Sequence, residues 1–214
     1  MTRALALGSL VLAAACAPHA RTVPAPGTVR VALVDSIPYQ TELEDGFLRR
    51  VEVRSPAGVD TIARVLTHTL PVVLADGTVL GFVVEGPDLL SAFTWHPERR
   101  QLELVALPDD ADRLFTAPAF SPDGRYLAYV SYPGPGFGRG MVRRGAAGEV
   151  VVRTDSVEVP GTDAAMNFAL WRDAETFEIY LDVSETGWHR FSGSISGGVV
   201  RMDTVAPPLD VSPP

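Results

Sequence analysis

The chain has 214 residues, of which 46% are hydrophobic, 21% charged and 8% aromatic, and it carries a formal net charge of −8. The acid surplus argues against nucleic acid as a partner, because phosphate binding needs positive charge gathered on one face. All 18 basic residues are arginine and there is one cysteine, which excludes a Schiff-base lysine, a P-loop lysine, a Ser-x-x-Lys nucleophile and any intrachain disulfide.

In chain order, residues 1–15, MTRALALGSLVLAAA, join one positive charge at Arg3 to a short apolar run. The run is too short to span a bilayer as a helix and has the form of a secretory signal peptide. Its exit, Leu12-Ala13-Ala14-Ala15-Cys16, resembles the lipobox of bacterial lipoproteins, where the peptide is cut before a cysteine that takes a diacylglycerol. Ala13 stands where that family favours Leu or Val. The resemblance implies a membrane anchor on Cys16, which would also dispose of an otherwise odd exported thiol. The alternative is an ordinary signal peptide cut after the small residues 13–15, with Cys16 incidental. Residues 16–28 then form the lipidated cysteine and a Pro-rich tether, 29–205 the folded domain and 206–214 a Pro-rich tail. The expected location is the bacterial cell envelope, facing the periplasm or on the surface. Ala17 and Pro18 lack the Asp retention cue known from some inner-membrane lipoproteins, which favours the outer membrane.

Within 29–205, apolar residues recur with period two in short runs, and no dozen residues keep a helical period, so the domain is expected to be all-β. Strands are expected at 29–35, 47–54, 59–66, 70–75, 78–84, 91–95, 101–106, 126–132, 148–153, 167–171, 176–183, 187–191 and 199–204, separated by Gly- and Pro-containing turns. In 176–183, Phe177, Ile179, Leu181 and Val183 face one way; in 126–132, YLAYVSY, both faces are apolar, as in a strand held between two layers. Between 133 and 140, PGPGFGRG reads as a long connection with Phe137 and Arg139 at its tip, side chains of the kind that anchor interfaces.

A repeat runs through these strands. VVLADGTVLGFVV (72–84) aligns with AFSPDGRYLAYVS (119–131), setting Asp76-Gly77 on Asp123-Gly124, Leu80 on Leu127 and Phe82 on Tyr129. LWRDAETFEIYLD (170–182) is a third copy with Asp173-Ala174 at the turn, and the Asp spacings are 47 and 50 residues. At the best copy Pro122 presets a type I turn, the Asp123 side chain bonds nearby amides, and Gly124 accepts the positive φ that leads into the next strand. One carboxylate is far short of a Ca²⁺ site. FSPDGRYLAYVS resembles the TolB-type β-propeller repeat, a WD-like repeat of bacterial exported proteins. The resemblance implies a four-stranded antiparallel blade per unit, with the Asp-Gly turn joining its first two strands. It implies a small or partial β-propeller of about four such units, the fourth at 29–70.

No catalytic residue, cofactor or metal is expected. H-E-x-x-H and C-x-x-C are absent, and His68, His96 and His189 are widely spaced. Trp95-His96 and Trp188-His189 recur in comparable places of two units and read as core tryptophans with hydrogen-bonded histidines. GSISGG (193–198) puts Ile195 where a nucleophile elbow needs Ser. The acidic groups Glu42, Glu44 and Asp45, and Asp109, Asp110 and Asp112, read as solvated turn acids. The expected role is an exported, lipid-anchored envelope module for binding or scaffolding, whose loops meet a protein or polymer partner. The alternatives are a glycosidase-like envelope hydrolase using loop carboxylates, and a structural surface lipoprotein.

Overall fold

The computed structural model describes residues 29–40, 45–66, 71–86, 89–107, 116–134, 136–158, 167–182, 187–198 and 200–205. The signal peptide, Cys16, the tether, the tail, His68, Glu42, Glu44 and Asp109 to Asp112 lie outside them. Among the described residues there is no helix.

The first three strands, β1 (Arg30–Gln40), β2 (Asp45–Ser55) and β3 (Gly58–Val65), form an antiparallel meander. Three further meanders follow, each of four antiparallel strands. The first holds β4 (Val72–Val73), β5 (Val79–Gly86), β6 (Leu89–His96) and β7 (Gln101–Ala106). After β8 (Thr116–Ala117) comes the second: β9 (Ala119–Phe120), β10 (Tyr126–Gly134), β11 (Phe137–Arg144) and β12 (Val150–Arg153). Strand β13 (Val157–Glu158) then pairs with the start of β11. The third holds β14 (Asn167–Trp171), β15 (Thr176–Asp182), β16 (Trp188–Ser194) and β17 (Val200–Val205). Strand β8 runs parallel to β14, pairing Phe168 with Ala117, and so ties the approach to the second meander onto the third.

Face-to-face stacking follows from the apolar alternation. On β10, Leu127 and Tyr129 pack with Leu80, Phe82, Val84, Leu90 and Ala92 of the first four-stranded unit. Their neighbours Tyr126, Ala128 and Val130 pack with Ala169, Phe177, Ile179, Leu181 and Phe191 of the third. Every residue from Tyr126 to Ser131 is buried, which a strand with two apolar faces achieves only inside a stack. Phe82 and Phe120 seal the first layer by stacking at 5.0 Å and 9°. On the opposite face of the first unit, Val79, Val83, Phe93 and Trp95 meet Val51, Val53, Ile62 and Val65 of the β1–β3 meander. The fold is thus all-β, with blade-like sheets stacked as in a partial β-propeller.

The fourth unit differs from the other three. Residues 29–66 form three strands, with Asp45-Gly46 paired to Gln40 and Tyr39 inside the β1–β2 ladder, and β3 joins the first four-stranded unit rather than standing apart: Val65 pairs with Val83, and Leu66 N–H donates to Phe82 O at 3.0 Å. Strand β4 is only two residues long, so the far part of the β5 edge is left for β3. Arg100 clamps the same junction, donating to both Asp60 carboxylate oxygens at 2.6 and 2.9 Å and to Val59 O at 3.0 Å.

Glycine at 124 is required twice over. Its φ is +71°, and a Cβ there would lie 2.7 Å from Leu80 Cδ1 and 3.0 Å from Leu74 Cδ2. Gly145 also has a positive φ, +57°, but nothing lies within 4 Å of its Cβ position. Gly145→Ala is therefore expected to cost only the backbone penalty, about 1 kcal/mol. Gly124→Ala should cost about 1 to 3 kcal/mol more, through the clash between the sheets. Urea denaturation of both variants checks this; equal losses would show that the second unit does not abut the first at this turn.

Candidate functional site

The two ends of the sheets have different chemistry. At one end the turns between the first and second strand of each four-stranded unit carry the three repeated aspartates. Asp76 Oδ1 accepts the Thr78 amide at 2.9 Å, Asp123 Oδ1 the Arg125 amide at 3.1 Å, and Asp173 Oδ1 the Glu175 amide at 2.7 Å. Each carboxylate thus closes an Asx turn onto the residue two places on. Gly77 and Gly124 supply positive φ of 85° and 71°. Pro122 is exposed at its turn. The third turn, which has Ala174 in place of glycine, is drawn closer by extra bonds from Thr176 N and Oγ1 to Asp173, both at 2.7 Å. Hydrogen bonds to Ser121 and to Arg125 hold the Asp123 carboxyl below its usual range against the opposing influence of burial, the largest single one. These acids are consumed by their own turns.

The opposite end holds the β10–β11 hairpin, whose last pair is Gly134 with Phe137; Phe137 and Arg139 stand on strand β11 and not on the tip of a long loop. The sequence FGRGMVRR conceals this strand because glycines occupy alternate positions where apolar residues would mark it. Gly140 has a packing purpose: a Cβ there would lie 2.9 Å from Ile179 Cδ1 and 3.0 Å from Thr154 Cγ2, so the third unit approaches β11 closely on that face. On the other face stand Phe137, Arg139, Met141 and Arg143, and Arg153 of β12 pairs directly with Met141. Phe137 is 48% exposed, whereas Met141 is buried at 1% in the layer against the first unit.

The arginines of this row lack the ion pairs that most others make. Nine described arginines sit in ion pairs. Arg139, Arg143 and Arg153 sit in none, and the Nε atoms of Arg139 and Arg143 are buried without an acceptor. Arg143 does lie over the Tyr129 ring, 5.5 Å from its centroid. Sequence reasoning singled out Arg139 but missed Arg143 and Arg153. The signal that finds them is period two across 137–143 combined with strand pairing to 153.

The outer face of the third unit carries a second polar cluster. Glu178 joins Arg172 at 2.6 Å and Arg190 at 3.9 Å and accepts from Tyr180 Oη at 2.8 Å; Arg190 and Arg201 meet at Asp203 at 3.1 and 3.0 Å. Beneath it Phe168 stacks on Tyr180 at 4.6 Å. Burial is the largest influence on the Glu178 carboxyl and pushes its pKa up, but hydrogen bonds from Arg172 and Tyr180 and the charges of both arginines outweigh it and hold the group below its usual range. Burial and the Glu178 bond push the Tyr180 phenol up.

The tryptophan–histidine pairs are not equivalent. Trp95 and His96 close β6, whereas Trp188 and His189 open β16, so they sit at opposite ends of the third strand of their units. Trp95 is a core residue at 2% exposure; His96 Nε2 lies 3.6 Å from Glu103, and His189 Nδ1 lies 3.5 Å from Thr204 Oγ1. Among the described residues no three His, Cys, Asp or Glu side chains gather as metal ligands would. The 193–198 segment ends β16 and turns into β17, with the Gly197 amide donating to Ser194 Oγ at 2.9 Å.

No family model matches the sequence, and no curated protein matches it. Among solved structures, the chain is similar to the β-propeller domain of the Trilobed protease from Pyrococcus furiosus, described as having an open velcro topology: TM-score 0.48 and 10% identity, covering 84% of this chain and 55% of that one. It is also similar to TolB from Acinetobacter baumannii, with TM-score 0.45 and 12% identity over 82% of this chain and 43% of that one. A third likeness is to the acylaminoacyl peptidase of Pyrococcus horikoshii, with TM-score 0.49 and 8% identity over 82% of this chain and 30% of that one. This chain spans 55% or less of the length of each.

The Glu178 cluster sets a pH dependence. A carboxyl whose pKa is depressed by folding stabilises the fold above its unfolded value, about 4.3, and that contribution disappears as pH falls through the lower folded value. Wild type should therefore exceed Glu178→Gln in urea stability by a margin that is constant above about pH 6 and narrows toward pH 3. A margin unchanged across that range would show that Glu178 is not held ionised by its arginines.

Proposed function

We propose that this chain is an exported, lipid-anchored module of the bacterial cell envelope that captures a protein or polymer partner on the β11 face of its stacked sheets. The observation that carries the reading is the row on β11: an exposed Phe137 beside Arg139, whose guanidinium meets no carboxylate although nine other arginines do. Aromatic and arginine side chains on a rigid strand are the usual anchors of a binding surface. Cys16, acylated after removal of residues 1–15, would hold the domain to the membrane, with the outer membrane preferred and the Pro-rich tether giving it reach. The hydrolase alternative draws no support from Glu178 and Asp203, which share Arg190. Arginine contacts keep Glu178 ionised, whereas a glycosidase acid needs a raised pKa.

Crosslinking and pull-down from intact envelopes test the reading. Phe137→Ala and Arg139→Ala should each weaken capture about tenfold, or about 1.4 kcal/mol, while the melting temperature stays near wild type. Capture should survive chelation. Hydrolysis of a glycan or peptide, abolished by one Asp or Glu substitution in a folded protein, would replace this reading by the enzyme.

The anchor has its own test. A fatty-acid probe should label the wild-type chain and miss Cys16→Ala. Equal labelling of both would refute acylation at this residue.

A further inference from the structure

We infer that β7, a free edge of the largest sheet, accepts an extended peptide strand of a partner, whose apolar side chains two residues apart seat beside Leu102 and Leu104. This site is separate from the β11 face and goes beyond the reading above.

Strands β1, β2, β3, β5, β6 and β7 follow one another in a single sheet, of which β1 and β7 are the two edges. An edge strand points alternate N–H and C=O groups away from its neighbour, and only another extended backbone pairs with them in series. Among the described residues, the backbone of β7 makes no hydrogen bond on the side away from β6. Such edges are usually blunted by proline, a bulge, charge or shortness. Strand β1 has a register shift between Leu33 and Asp35 and contains Pro38, β12 is four residues long, and β17 carries Arg201 and Asp203. Strand β7 pairs with β6 from Gln101 to Ala106 without a shift and holds no proline. Its one charge, Glu103, is engaged by Arg99 at 3.1 Å and lies 3.6 Å from His96.

The side chains of β7 select those of the incoming strand. Leu102 pairs with Trp95 and Leu104 with Phe93, so both lie on the face that Trp95 and Phe93 turn toward the β1–β3 meander. At the rim of that core they are left 40% and 46% exposed. Glu103 and Val105 alternate with them on the other face, where Val105 packs in the layer toward the second unit. Leu102 and Leu104 are separated by ~6.6 Å along the strand, the repeat at which any extended peptide presents side chains on one face. Apolar groups at positions i and i+2 of a partner therefore fall beside Leu102 and Leu104 when its backbone pairs with β7. One docking step then takes the apolar rim out of water and satisfies the open edge. Neither a sugar nor a lipid chain offers N–H and C=O groups at this repeat.

The test uses the full chain in mild detergent and a fluorescent synthetic peptide, Arg-Thr-Val-Thr-Val-Thr-Arg with blocked ends, followed by fluorescence anisotropy. Wild type should bind it about tenfold more tightly than the same peptide with its interior amides N-methylated, which keeps every side chain and charge but cannot donate to a strand edge. Leu104→Lys puts a charge into the exposed row and should lose about tenfold, with the melting temperature near wild type. Should Leu104→Lys destabilise the fold, hydrogen exchange of the wild type decides: the peptide should slow the amides of β7 and leave those of β17 unchanged. Equal binding of the methylated peptide, undiminished affinity in folded Leu104→Lys, or unchanged exchange along β7 would overturn the proposal. So would a wild-type dimer in sedimentation that Leu104→Lys dissolves, since the edge would then be taken by a second copy of this chain.

Discussion

The rest of this structure depends on strand β10 being apolar on both faces. A strand with one buried face can close a stack of sheets, but one with two must lie inside it. Leu127 and Tyr129 are claimed by the first four-stranded unit and Ala128 and Val130 by the third, so neither layer can be removed without exposing half of the strand. Each fully buried large apolar side chain contributes roughly 1.5 to 3 kcal/mol. Strand β5 repeats the arrangement one sheet earlier, with Leu80, Phe82 and Val84 facing β10 and Val79 and Val83 facing the β1–β3 meander. The sheets are therefore mutually dependent, and the turns serve mainly to return the chain at the right length.

That dependence also shapes the candidate binding surface. On β11, glycine at 140 lets Ile179 come close on the face toward the third unit, and the alternating positions are thereby freed for Phe137, Arg139 and Arg143 on the other. Met141 is the one member of the row drawn into the core, and its burial fixes the register of its neighbours. The arginines are held by a strand with partners on both sides, so little side-chain positioning is left to a mobile loop. At the opposite end, the same residue type is spent on structure: Arg100 clamps Asp60, and Arg125 pairs with Asp123 and Glu175. Composition alone could not separate these roles, because an arginine satisfied by a carboxylate and one without a partner look the same in the sequence.

Much of the architecture was legible before any coordinates. The Asp-Gly turns followed by an apolar run are local signals, and the turns at Asp76, Asp123 and Asp173 do lie between the first two strands of their units. The two-faced pattern of 126–132 likewise announced an interior strand. Strand β11 was hidden because glycines stand at 138 and 140, ahead of Val142 on the same face, and the one at 140 serves close approach to Ile179 and not apolar burial. The merging of β3 with β5 was hidden because it depends on the shortness of β4, which pairs only Val72 and Val73. Equating Trp95-His96 with Trp188-His189 failed for a geometric reason: the dipeptides match, but one ends its strand and the other begins it. Arg143 and Arg153 escaped notice because their relation runs through strand pairing to Met141, which no local pattern records.

Native-state hydrogen exchange is the most direct measurement of whether β10 is the interior strand on which the stack depends. Amides of Leu127 to Val130 should exchange only through global unfolding, with those of Leu80 to Val84 close behind and those of the outer strands β7 and β17 opening at lower free energy. Exchange from Leu127 to Val130 as fast as that of β7 or β17 would contradict the account.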